Sequence, residues 1–138
     1  MAVLDDMKST LDNYFAVNEM SLQAKNTRLE LISENIANVS TPGYKARDLD
    51  FTAFMTEAVS NASAVRTTNA RHIEIGDGGM NFENAITYHV PASSSLDNNT
   101  VEIGVEQAKF GKAAADVQAA MGFMESRISG MRKALRGE

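Results

Sequence analysis

Along residues 1–39 apolar side chains return every seventh position, at Phe15, Leu22, Leu29 and Ile36, with Leu4, Leu11, Ile32 and Val39 on companion positions three later. This period predicts one long helix whose seam is interrupted by Asn18 and Lys25. A second stripe, Val3, Val17, Ala24 and Leu31, falls on another face, so the helix needs more than one neighbour. Pro42 disfavours helical backbone at Thr41, and Pro42-Gly43 suits the middle of a type II turn, which places the helix end near Asn38.

The opposite end of the chain carries the cleanest repeat. Over residues 101–137, Ile103, Phe110, Val117, Met124 and Met131 recur every seven, with Ala114, Met121, Ile128 and Leu135 interleaved. Small residues at Ala108, Ala113, Ala115, Ala120 and Gly122 flank that seam and permit a partner helix to come close. Between the ends, residues 48–61 form a shorter amphipathic segment behind the possible caps Asp48 and Asp50. Residues 63–100 look different, with β-leaning pieces at 71–75 and 86–90 around Gly76-Asp77-Gly78-Gly79, predicting a small hairpin or extended loop. The polar run from Ser93 to Asn99 reads as a mobile connector ending in candidate helix caps.

The predicted class is therefore mainly α, with long N- and C-terminal helices pairing antiparallel as a coiled-coil-like bundle. A short helix and a small β-hairpin or loop region separate them. The expected organisation is an N-terminal helix over 1–39, a connecting region over 40–100 and a C-terminal helix over 101–138. Each long helix would span about 55 Å at ~1.5 Å per residue, and the middle of the chain offers little apolar mass to cover it. Acids at the start (Asp5, Asp6, Asp12) and bases at the end (Arg127, Arg132, Lys133, Arg136) favour the antiparallel arrangement. Even so, the Val3/Val17/Leu31 stripe and Phe123 stay uncovered, which marks contacts with other chains.

Composition narrows the options. The 138 residues allow one modest domain, and 43% hydrophobic with 22% charged residues excludes a disordered tail. A net charge of −5 opposes nucleic-acid binding. The absence of cysteine removes disulfides, thiolate nucleophiles and cysteine-ligated metals. The longest apolar run, 119–124, is far short of the ~20 residues that span a bilayer. Asp5 and Asp6 sit where a secretion signal would carry positive charge, so any export is expected to proceed without a cleavable signal peptide.

The stretch Ser33-Glu34-Asn35-Ile36-Ala37-Asn38-Val39-Ser40-Thr41-Pro42-Gly43-Tyr44-Lys45-Ala46-Arg47-Asp48 closely resembles the helix-end signature of bacterial flagellar rod and hook proteins. The continuation to Phe51, the total length and Asn99-Thr100-Val101-Glu102 are most similar to the proximal-rod members of that family. The resemblance implies a non-enzymatic subunit of the proximal rod, the drive shaft of the basal body, needed for flagellum assembly and motility. It implies passage through the flagellar type III export apparatus into the periplasmic rod. Its implied partners are other rod subunits and the base of the rod at the membrane ring, with no cofactor. The motif residues Asn35, Ile36, Ala37, Asn38, Thr41, Pro42, Gly43 and Tyr44 would form its helix-end turn, with Tyr44 packing. The heptad positions Phe15, Leu22, Leu29, Ile36, Ile103, Phe110, Val117, Met121, Met124, Ile128, Met131 and Leu135 would form the assembly seam.

Other chemistry is weaker. Asn38 reads as a local helix terminator, and Asp48 with Asp50 as caps more readily than as a catalytic carboxylate pair. His72 and His89 lack a spaced carboxylate partner for a metal. Gly76-Asp77-Gly78-Gly79 lacks the Gly-Lys-Ser/Thr of a phosphate cradle. The rival reading from another class is a stand-alone coiled-coil adaptor or export chaperone; a small metal-dependent hydrolase is a third.

Overall fold

The computed structural model describes residues 2–64, 82–92 and 95–137, with side chains described from residue 15 to 60 and through the two later segments. The described chain is mainly helical. Helix α1 runs Ala2–Ala37, strand β1 Arg47–Leu49, helix α2 Phe51–Ala64, a 3₁₀ turn Glu83–Ala85, strand β2 Ile86–Tyr88 and helix α3 Ile103–Arg136.

α1 stops where the sequence says it should. Asn38 Nδ2 donates to the Glu34 carbonyl (2.8 Å), and Thr41 Oγ1 donates to Asn38 Oδ1 (3.1 Å), so Asn38 closes the helix end locally. The turn that follows has Tyr44 N donating to the Thr41 carbonyl, with Pro42 and Gly43 in the middle. Gly43 has φ +74°, the conformation that a type II turn demands and that a side chain would resist.

β1 and β2 pair antiparallel, with Arg47 opposite Tyr88 and Leu49 opposite Ile86. The sheet is therefore not a local hairpin: α2 intervenes in sequence between its strands. The expected arm at 71–75 and its glycine turn at 76–79 lie outside the described residues. β1 replaces the helix start expected at Asp48; α2 begins three residues later, where Asp50 Oδ1 accepts from Ala53 N (2.9 Å). Asp50 is thus the cap, and Asp48 is not.

The middle of the chain covers more of α1 than its sequence suggests. Ala24 and Leu31 are buried in one cluster with Leu49, Phe54 and Ala85, and Phe51, Met55, Phe82 and Ile86 pack around it. Phe54 and Phe82 stack with centroids 4.7 Å apart and planes 11° apart, fastening α2 to the 3₁₀ turn. Lys25, an interruption of the heptad seam, lies 4.9 Å over the Phe51 ring. Leu31, expected to stay uncovered, is therefore core, whereas Val17 and Phe123 are exposed.

α3 packs against α1 on a different line. Its buried residues are Glu106, Ala113 and Val117, all in its first half. Among the described side chains none is buried over α1 15–23 or over 118–137, so burial concentrates at one end of the helix pair.

Candidate functional site

The motif turn and the segment before α3 are built together. Asn99 Nδ2 lies 3.0, 2.9 and 2.9 Å from the carbonyl oxygens of Asn38, Val39 and Thr41. These carbonyls belong to the turn that follows α1, and one side chain distant in sequence gathers them. Thr100 Oγ1 accepts from Ala46 N (2.7 Å), Thr100 N donates to the Tyr44 carbonyl (3.0 Å) and Gly43 N donates to the Asp97 carbonyl (2.8 Å). Asn99 and Thr100 are buried, so residues 97–100 form a clasp where polarity suggested a mobile connector; Ser93 and Ser94 of that connector lie outside the described residues. Nor do its side chains cap α3: the N-cap is Glu102, which makes no capping side-chain bond.

Behind the clasp lies a buried polar network. Asn35, 1% exposed, donates from Nδ2 to the Arg47 carbonyl (2.7 Å) and to Glu106 Oε2 (2.9 Å). Its Oδ1 accepts from Arg47 N (3.0 Å) and from the Tyr44 hydroxyl (3.3 Å). Glu106 is fully buried, and its other oxygen accepts from Lys109 Nζ at 2.8 Å. Lys109 also approaches Asp48 (3.8 Å), which receives two bonds from Arg28, 2.7 and 3.0 Å. One chain of alternating charge thus ties α1, β1 and α3 together. A buried carboxylate is tolerated only where such partners replace water.

Burial pushes the Asp48 carboxyl up, but the Arg28 hydrogen bonds and charge, the Leu49 N–H and Lys109 outweigh it and hold the group below its ordinary value near 3.8. Its partner agrees: the hydrogen bond to Asp48 raises Arg28, against the cost of burial. A lowered folded-state value means stability that is fully present above about pH 4 and lost as pH falls through the folded value. The unfolding free energy lost on Asp48→Asn should therefore be clear at pH 7 and shrink at pH 3, as read by urea titration of both proteins. An equal loss at both pH values contradicts the linkage.

The seam residues named from the sequence fall into three groups. Val117 is buried; Phe15, Leu22, Leu29, Ile36, Met124 and Met131 are half-buried; Ile103, Phe110, Met121, Ile128 and Leu135 are exposed. The described chain leaves these members exposed along one side of α3 and Phe123, 71% accessible, on another. The side of α3 that closes on α1 carries Glu106 and Ala113 together with the seam residue Val117. Of the motif residues, Asn35 is buried, Ile36, Asn38 and Tyr44 are half-buried, and Ala37, Thr41, Pro42 and Gly43 are exposed. Sequence reasoning missed Arg28, Glu106 and Lys109. The i, i+3 spacing of Glu106 and Lys109 was the available signal, but it also fits a solvated face.

Other candidate chemistry dissolves in the geometry. Asp48 and Asp50 are engaged by Arg28 and the start of α2, and His89 Nε2 lies 3.1 Å from Glu102 Oε2. His72 falls outside the described residues. Among the described residues, no cluster of three or more His, Asp or Glu could hold a metal ion, and no helix is long and apolar enough to cross a membrane.

Comparison with known proteins bears on the same region. A profile of the flagella basal body rod protein family matches residues 15–45, the second half of α1 and the motif turn. Flagellar basal body rod protein FlgB of Cereibacter sphaeroides is 43% identical over 122 residues, covering 88% of this chain and 93% of that protein. FlgB of Proteus mirabilis strain HI4320 is 33% identical over 136 residues, 94% of this chain and 98% of its own. FlgB of Salmonella typhimurium is 29% identical over 137 residues, with 95% and 99% covered.

Proposed function

Because this chain belongs to the family of flagellar basal body rod protein FlgB, a component of the flagellar rod, we propose that it is a structural subunit of the proximal rod, required for flagellum assembly and motility. On this reading residues 1–39 and 101–138 form the axial core, and 40–100 are the connection that fastens them. The two long helices run antiparallel. Support comes from Asn35 meeting Glu106 near one end, and from Lys25 and Arg28 lining, with Ala113 and Asp116, a cavity of about 90 Å³ further along. Partners are other rod subunits and the base of the rod at the membrane ring, reached by type III export into the periplasmic space without signal cleavage. No catalytic or cofactor role is assigned.

The observation that carries this reading is the set of apolar side chains of α3 beyond Val117 that no described part of the chain covers: Met121 at 44% and Leu135 at 81% exposure on one face, and Phe123 at 71% on another. Exposed stripes of this kind mark surfaces that other chains bury. Hydrogen exchange on the isolated chain should show slow amides over 24–37 and 103–117 and fast ones over 118–136, with protection spreading along α3 in assembled rods. A stable dimer in dilute solution, protected along both helices, would overturn the reading in favour of a coiled-coil adaptor or export chaperone.

A further inference from the structure

The clasp does more than gather a turn. Only two residues, Val101 and Glu102, separate Thr100 from the start of α3, and Val101 N is itself held by Asn99 Oδ1 at 2.8 Å. The same asparagine therefore bonds the turn that follows α1 through its amide nitrogen and the approach to α3 through its oxygen. Three converging carbonyl oxygens fix which way the amide points, since only N–H groups can face them. The turn beneath is shaped for this: Asp97 Oδ1 accepts from Asn99 N (3.1 Å), and Asn98 takes φ +58°, the left-handed region that asparagine tolerates.

Beyond Val117 no described side chain of α3 is fully buried, and Ala120, Met124 and Met131 are half-buried. The helix is fastened by the buried Glu106, Ala113 and Val117 along its first half and, just before its start, at Asn99. A helix of 34 residues is about 50 Å long, and a tilt of about 10° at its base moves its far end by about 9 Å. We propose that Asn99 is a positioning residue: by binding the Asn38, Val39 and Thr41 carbonyls it sets the angle at which α3 leaves the head. It thereby sets where Met121, Phe123 and Ile128 are presented to neighbouring copies. That last step rests on the rod-subunit reading; the angle itself does not.

The test uses the isolated full chain, whose lack of cysteine allows label pairs to be introduced at will. Spin labels at Glu19 and Glu125 report the far part of the helix pair, and labels at Glu30 and Thr56 report the head. In the parent chain the head distance should be narrow and the far distance a single, broader distribution, as suits a stretch with fast amides. Asn99→Asp keeps the acceptor oxygen but turns a carboxylate toward three carbonyls. It should shift or broaden the far distance by up to about 6 Å, the displacement that a tilt of ~10° produces about 33 Å along the helix, with the head distance unchanged. Asn99→Ala removes the donor without adding charge, should give a smaller shift of the same kind, and decides the matter if Asn99→Asp does not fold. A lowered unfolding midpoint with the far distance unmoved would reduce Asn99 to a structural role and overturn the proposal. Because no assembly step enters, that failure is distinct from failure of the rod reading, which shows instead in the exchange and swimming experiments.

Discussion

Replacing Met124 with Asp should abolish swimming while the protein is still made, still exported and still folded at its head. Met124 is half-buried in the stretch of α3 where Met121, Phe123 and Ile128 stand exposed. In the lone chain an aspartate there turns to water and costs little. Once neighbouring chains close over that surface, the same carboxylate is unpaired in an apolar contact, at a cost of several kcal/mol. Roughly 4 kcal/mol is about a thousandfold in the affinity of each contact, and a polymer repeats the contact at every subunit. Soft-agar motility reads the first effect, protein in the export pathway the second, and thermal unfolding of the purified variant the third. Met124→Leu, which preserves volume and polarity, should swim. Normal motility of the aspartate variant contradicts the seam.

The largest expected loss of stability lies elsewhere, at Asn35. Truncation to alanine removes two donated and two accepted bonds at a site closed to water. It leaves the Arg47 peptide group unsatisfied and strips the buried Glu106 carboxylate of every hydrogen-bond donor but Lys109. Breaking a buried charged network from one side costs roughly 3 to 5 kcal/mol, a large share of the 5 to 15 kcal/mol typical of a whole domain. Urea unfolding measures it. The double variant Asn35→Leu/Glu106→Leu should recover part of that loss, because it removes the orphaned carboxylate together with its partner. An Asn35→Ala protein as stable as the parent would show that the network carries no net weight.

How much of this was legible beforehand depends on the range of the interaction. The two long helices, the stop at Asn38, the Pro42-Gly43 turn and the capping role of Asp50 follow from spacing and from neighbours within four residues. β1 is three residues long, too short for any alternation to register, and its Asp48 looks like a cap until Arg28, twenty residues away, is brought beside it. Glu106 breaks the expectation that charge stays outside, because its partners come from α1 and from the next turn of α3. The heptads identify the apolar faces of α3 but not which face the chain itself uses. The side that carries Glu106, Ala113 and Val117 turns toward α1 and leaves Phe110, Met121 and Ile128 outside. The polar run before α3 reads as slack because polarity alone cannot separate side chains that serve water from side chains that serve a backbone turn.

The concentration of burial at one end of the helix pair divides the pressures under which the molecule changes over generations. A substitution around Leu31, Leu49 or Phe54 is answered inside the same polypeptide, by compensation a few ångströms away. One at Phe123 or Leu135 meets little of the described chain. On the rod-subunit reading its compensation arises in another gene product or in a sister molecule, so two regions of one polypeptide drift in step with different partners.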